Sequence, residues 1–146
     1  MSHKAFTKDG FRRFRDNDRP GPVHMLNLIK LRPQADYGGD GPPDGRKRSG
    51  KEAYAAYGRE SAPVLSRLGG RIVWRGRLEQ TLIGPDNEDW DICFIAEYPS
   101  PQAFAEMVFD PDYRHAMIYR QAAIADSRLV RLAPMVPGHG FADPKE

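Results

Sequence analysis

The chain has 146 residues and a formal net charge of +2, with 40% hydrophobic and 29% charged residues. That length predicts one domain with a core of its own, and the small charge does not mark a nucleic-acid binder, which would carry a basic stripe on one face. Cys93 is the sole cysteine, which excludes an internal disulfide and a cysteine-based zinc site and makes a reducing cytoplasm the expected setting. Along the chain, Thr7 to Asp16 reads as a short helix with Phe6, Phe11 and Phe14 as its apolar stripe, broken by Arg19-Pro20-Gly21-Pro22. Val23 to Leu31 is a strand, apolar at nearly every position, as expected of a strand covered on both faces. Residues 32–50 are rich in Pro, Gly, Asp and basic residues and predict a long loop, either a solvated connector or a functional one.

Ser49 and Glu52 form a capping box opening the next helix, which keeps Tyr54, Tyr57, Ser61, Val64, Leu65 and Leu68 on one face. Pro63 should bend this helix, and Gly69-Gly70 should end it. Arg71 to Ile83 is expected as one long strand, with Gly84 to Asp89 as a hairpin-like connection into a strand starting at Trp90. Tyr98-Pro99 stops that strand. Ser100-Pro101 and Asp110-Pro111 each supply an N-cap followed by a proline at the first helical position, so one helix starts where another ends. Ser127 to Leu132 alternates as the last strand.

The expected fold class is α+β: a ferredoxin-like βαββαβ core with a split second helix and an extra N-terminal helix. The organisation is an N-terminal helical extension over 1–20, a core domain over 21–134 and a tail over 135–146. Strict alternation puts Ile72, Trp74, Leu78 and Leu82 with Ile92, Phe94, Ala96 and Tyr98 under the helices. It puts Val73, Arg75, Arg77 and Glu79 with Cys93, Ile95, Glu97 and Arg131 on the other face. That second face is too apolar for open water and too charged for a dry core, so a second copy of the sheet is its expected cover and a homodimer is inferred. Met1 to Phe14 lacks the apolar centre of a signal peptide, and no run has the length of a membrane span. A cytoplasmic protein with no membrane partner is the expectation.

The segments Met25-Leu26-Asn27-Leu28-Ile29-Lys30-Leu31, Gly69-Gly70-Arg71, Glu97-Tyr98-Pro99-Ser100, Asp110-Pro111-Asp112-Tyr113, Arg120 and Ala125-Asp126-Ser127-Arg128-Leu129-Val130 resemble, in this order, the bacterial family called domain of unknown function 1330. The resemblance runs from about Val23 to Leu132. It implies a dimeric α/β barrel made of two ferredoxin-like protomers with facing sheets. The wider superfamily includes cofactor-free monooxygenases, muconolactone-type isomerases and haem-binding enzymes, but the family carries no established reaction.

Asn27 is a polar residue in an apolar strand, where its amide needs a partner: a ligand carbonyl or enolate, or a neighbouring backbone group. Lys30 could bring charge to a pocket rim or simply lie on the surface. Tyr57 and Trp74 could stack on a planar ligand or fill the core. Arg75, Glu97, Arg120 and Arg131 could form a charged cluster, with Glu97 as general base, or an ion-pair network holding elements together. Tyr113 and His115 begin the last helix, where His115 could move a proton or sit exposed. The candidate catalytic residues are therefore Asn27, Glu97 and His115, and the candidate ligand contacts Lys30, Tyr57, Trp74, Arg75, Tyr113 and Arg120. The four histidines show no metal-ligand spacing, and no cofactor motif is present. Val23 to Leu28 resembles the first-strand signature of RNA-recognition domains. The strand Asp91 to Tyr98 lacks the matching glycines and basic residue, which rejects RNA as a partner. Two functions remain: a small-molecule enzyme of the oxygenase or isomerase kind needing no cofactor, or a non-catalytic homodimer that binds a metabolite or partner.

Overall fold

A computed structural model describes residues 2–142. The elements follow as α1 (Lys8–Asp16), β1 (Val23–Leu31), a short 3-10 turn at Gly38–Asp40, α2 (Gly50–Arg67), β2 (Arg71–Gly76), β3 (Ile92–Tyr98), α3 (Pro101–Phe109), α4 (Pro111–Ala123) and β4 (Ile124–Leu132). The strands make one antiparallel sheet in the order β2-β3-β1-β4. With α2 crossing from β1 to β2 and α3–α4 from β3 to β4, this is the ferredoxin-like arrangement. The chain alone forms an open sheet, not a closed barrel.

The caps act as the sequence predicts. The Thr7 hydroxyl accepts from Gly10 N, and Ser49 and Glu52 bond reciprocally at the start of α2. Asp110 ends α3 and opens α4, its carboxylate accepting from Asp112 N at 2.8 Å and Tyr113 N at 3.2 Å while Arg67 reaches it at 2.6 Å. Helix α2 continues through Pro63 to Arg67, and Gly69, at φ 81°, takes the left-handed turn that releases the chain into β2.

The main core lies between the sheet and the helices. Val23, Met25, Ala96 and Tyr98 from the strands meet Val64, Ala103, Phe104, Met107 and Tyr113 from the helices, and Phe11 and Phe14 bring α1 onto the same cluster. The loop over 32–50 is partly structured. Gln34 bridges Ser49, and Arg48, 7% exposed, lies over the Tyr119 ring while bonding to Asp44 and Tyr37. The tail lacks regular structure over 133–142, and its last four positions fall outside the described residues.

Four expectations are corrected. Strand β2 stops at Gly76 rather than Ile83, because Gly76 faces Cys93, one residue from the start of β3, and no partner remains beyond it. Leu82 and Ile83 are therefore solvent-facing, and β3 begins at Ile92, not Trp90. A bulge at Val73 shifts register: Ile72 pairs with Ala96, but Trp74 pairs with Ile95 and Arg75 with Phe94. One extra residue exchanges the faces of everything after it, so Trp74 leaves the helix side and Arg75 joins it. Arg131 pairs with Met25, on the helix side, where its guanidinium lies 4.7 Å from the Phe14 ring and donates to the Phe14 and Asn17 carbonyls. Helix α1 supplies that cover.

Candidate functional site

Between the sheet and α2, α3 and α4 lies a cavity of about 1080 Å³. Its floor is a cross-strand row of Arg75, Phe94, Asn27 and Leu129, one from each strand. Phe104, Leu65, Met107 and Met117 make much of the remaining wall. The lining contains four tyrosines (Tyr54, Tyr57, Tyr98, Tyr113) and four arginines (Arg75, Arg114, Arg120, Arg128), with no aspartate or glutamate.

Arg120 is 8% exposed. Its Nη1 donates to the Lys4 carbonyl at 3.0 Å, and among the described residues no carboxylate pairs with it. Of the other cavity arginines, Arg128 bonds Asp126 at 2.9 Å and lies over Trp90, whereas Arg75 and Arg114, also without a carboxylate partner among the described residues, are exposed to water, Arg114 lying over Phe109. Burial pushes the hydroxyls of Tyr54, Tyr98 and Tyr113 above the ordinary tyrosine range, and the nearby Arg120 charge opposes that shift. These three phenols are neutral at pH 7 and available as donors. The Tyr57 and Tyr113 hydroxyls are 2.8 Å apart, tying α2 to α4, while Tyr98 makes only a long contact to the Met107 sulfur, 3.8 Å. Asn27 spends one amide hydrogen bond on the Met25 carbonyl, 3.0 Å away, and its side chain lines the floor.

The cavity thus gathers Asn27, Tyr57, Arg75, Tyr113 and Arg120 from the residues singled out in the sequence. It does not gather the others. Glu97 points to the open face, between His24 Nε2 at 2.8 Å and Arg71 Nε at 3.0 Å, and these partners hold its carboxyl below the usual range. His115 is on the surface, 3.7 Å from Glu60. Lys30 pairs with Asp89 at 2.5 Å, and Trp74 is 49% exposed on the open face. The cluster of Arg75, Glu97, Arg120 and Arg131 does not form, because the four are divided between two sheet faces and α4.

Sequence reasoning missed the role of Tyr54 and Tyr98 beside Arg120, although Tyr54 was already on the inward face of α2. It also did not single out residues 3–6, which lie along the cavity. That contact joins the first residues to α4 and β4, more than a hundred positions away. Among the described residues no group of three His, Cys, Asp or Glu side chains could hold a metal ion, and no helix is long and apolar enough to cross a membrane.

Residues 47–132 match the family described as domain of unknown function (DUF1330). The crystal structure of the methylated RPA0582 protein is 59% identical, with 94% of this chain and 98% of that chain covered and a TM-score of 0.87. The structure of the RPA0582 protein of unknown function from Rhodopseudomonas palustris is 56% identical over 94% of this chain and 100% of that chain, with a TM-score of 0.86. A dimeric protein of unknown function and ferredoxin-like fold from Bacteroides fragilis is 14% identical over 76% and 94%, with a TM-score of 0.47. No curated protein matches the chain.

Proposed function

The chain belongs to the DUF1330 family, and from that premise we propose that it binds a small organic anion with an apolar or aromatic body in the cavity under its helices. One observation carries the reading: Arg120 is buried in a ligand-sized cavity with a carbonyl, but no carboxylate, against it. Removing a guanidinium from water costs several kcal/mol, and only an opposite charge with good geometry offsets most of that. A carboxylate, enolate or phenolate from a ligand supplies the charge, and the planar guanidinium suits a two-oxygen acceptor. The neutral tyrosine hydroxyls add donors, and Phe94, Phe104, Leu65 and Met117 accept the apolar body.

Binding is favoured over acid–base catalysis by the protein, since Glu97 and His115 lie away from the cavity and no carboxylate lines it. The assembly proposed with it is a homodimer through the open face. Leu26, Leu28 and Ile95 are half-buried there and Trp74, Val130 and Leu132 exposed, a surface a second sheet would cover.

The test is binding of 1-naphthoate against its neutral amide, 1-naphthamide, read by fluorescence and calorimetry. The expected result is binding of the acid, lost at least tenfold in Arg120→Met, with little change for the amide. Equal affinity for acid and amide, or acid binding indifferent to Arg120→Met, overturns the reading.

A further inference from the structure

Residues 3–6 are fastened along the cavity. His3 N donates to the Asp126 carboxylate at 2.7 Å, and the Ser127 hydroxyl donates to the His3 carbonyl at 2.6 Å. The Lys4 carbonyl then accepts from Arg120 Nη1 at 3.0 Å and from Gln121 Nε2 at 3.4 Å. Phe6 stacks on Phe11 with ring centroids 5.1 Å apart and meets Phe104 edge-on at 6.5 Å. Thr7, the N-cap of α1, follows at once. A strap of three residues is thus fixed at its inner end by an aromatic anchor and laid along the cavity by backbone bonds alone.

The bond to Arg120 is the unusual one. A neutral carbonyl gives a buried guanidinium a hydrogen bond but no opposite charge, whereas an anion gives both and can bind in two-oxygen fashion. Lys4 O therefore holds the position that a ligand oxygen would take. We infer that Ser2–Lys4 is a displaceable gate: its Lys4 carbonyl occupies Arg120 when the cavity is empty, and an organic anion entering the cavity exchanges with it and releases the strap. This rests on the reading of the cavity as an anion site, but it adds a competition that the reading does not require. The closed strap lowers the apparent affinity by the fraction of molecules in which Arg120 is open. It is also readily displaced, since it lies exposed at Ser2 and His3, only half-buried at Lys4, and belongs to no helix or strand.

Lys4 supplies its own reporter, because trypsin cleaves after lysine and the Lys4 carbonyl is the bond it must reach. Cleavage of this kind follows the population of the open form. In the full chain, cleavage after Lys4, resolved by mass spectrometry from cleavage after Lys51 in α2, should accelerate several-fold with saturating 1-naphthoate while the Lys51 site is unchanged. Ser127→Ala removes one latch bond without touching Arg120. It should raise basal cleavage after Lys4 and tighten 1-naphthoate binding by roughly fivefold, the equivalent of one ordinary hydrogen bond. Arg120-dependent binding that slows cleavage after Lys4 or leaves it unchanged, or that Ser127→Ala does not tighten, overturns the gate and leaves the cavity reading standing. Absence of Arg120-dependent binding in both wild type and Ser127→Ala overturns both.

Discussion

The hydroxyls of Tyr57 on α2 and Tyr113 on α4 meet at 2.8 Å, at the edge of the cavity, with their rings 6.0 Å apart and nearly perpendicular. Each of these helices also buries small residues, Ala53 and Ala56 on α2 and Ala116 and Ala123 on α4. The Tyr57–Tyr113 bond joins the two helices that bring Tyr54 and Arg120 to the cavity lining.

Tyr57→Phe and Tyr113→Phe should each cost about 1 kcal/mol, because each leaves a part-buried hydroxyl without its partner. The double variant should lose less than the sum of the two, since it leaves no orphan. Urea unfolding of the four proteins measures the coupling. Strict additivity would mean that the bond is absent in solution.

Arg120→Met should unfold at the same temperature as wild type without ligand, or a higher one. An apolar side chain of similar length removes a buried charge that lacks an anionic partner, and such replacements are neutral or stabilising. A side chain kept for structure would show the opposite, so a clear drop in melting temperature argues against a ligand role.

The open face predicts a dimer. Light scattering at micromolar concentration should report twice the chain mass. Leu26→Glu, in the centre of the face beside Ile95 and Val130, should give a monomer. A wild-type monomer removes the proposed barrel.

Glu97 makes stability depend on pH with a definite sign. His24 and Arg71 depress its carboxyl below the unfolded value of about 4.3, so its contribution is fully present above that value and is lost as pH falls through the depressed one. Glu97→Gln should therefore be less stable than wild type at neutral pH, with the gap closing at acid pH, once the pH has fallen through that depressed value and both side chains are neutral. A gap of the same size at both pH values excludes the ion pairs as its source.

Two glycines of α2 should respond in opposite directions. A Cβ on Gly50 would lie 1.8 Å from the Arg32 carbonyl oxygen, so Gly50→Ala should cost about 1–3 kcal/mol by forcing backbone apart. A Cβ on Gly58 meets nothing within 4 Å, and Gly58→Ala should gain up to about 1 kcal/mol from helix propensity. Thermal melts distinguish the two directly.

The sequence by itself determined the elements and their order. The Ser49–Glu52 box, the two Ser/Asp-Pro starts and Gly69-Gly70 are local devices, whose backbone bonds are satisfied within five residues. The β1 apolar run and the α2 face were legible for a related reason, since periodicity reports which side of an element is buried. What only the tertiary structure decided was register and convergence. The Val73 bulge depends on how β2 meets β3, and one residue of slip sent Trp74 outward and Arg75 inward against a correct reading of alternation. The length of β2 was set by where its partner begins, not by its own composition. The candidate site divided in the same way. Asn27, Tyr57, Arg75, Tyr113 and Arg120 arrive in one cavity from four elements, while Glu97 and His115, equally promising as residue types, face elsewhere. That Arg120 would be buried without a carboxylate could not be read from any window of sequence, because it depends on every side chain that packs around α4, including the Lys4 carbonyl 116 positions away.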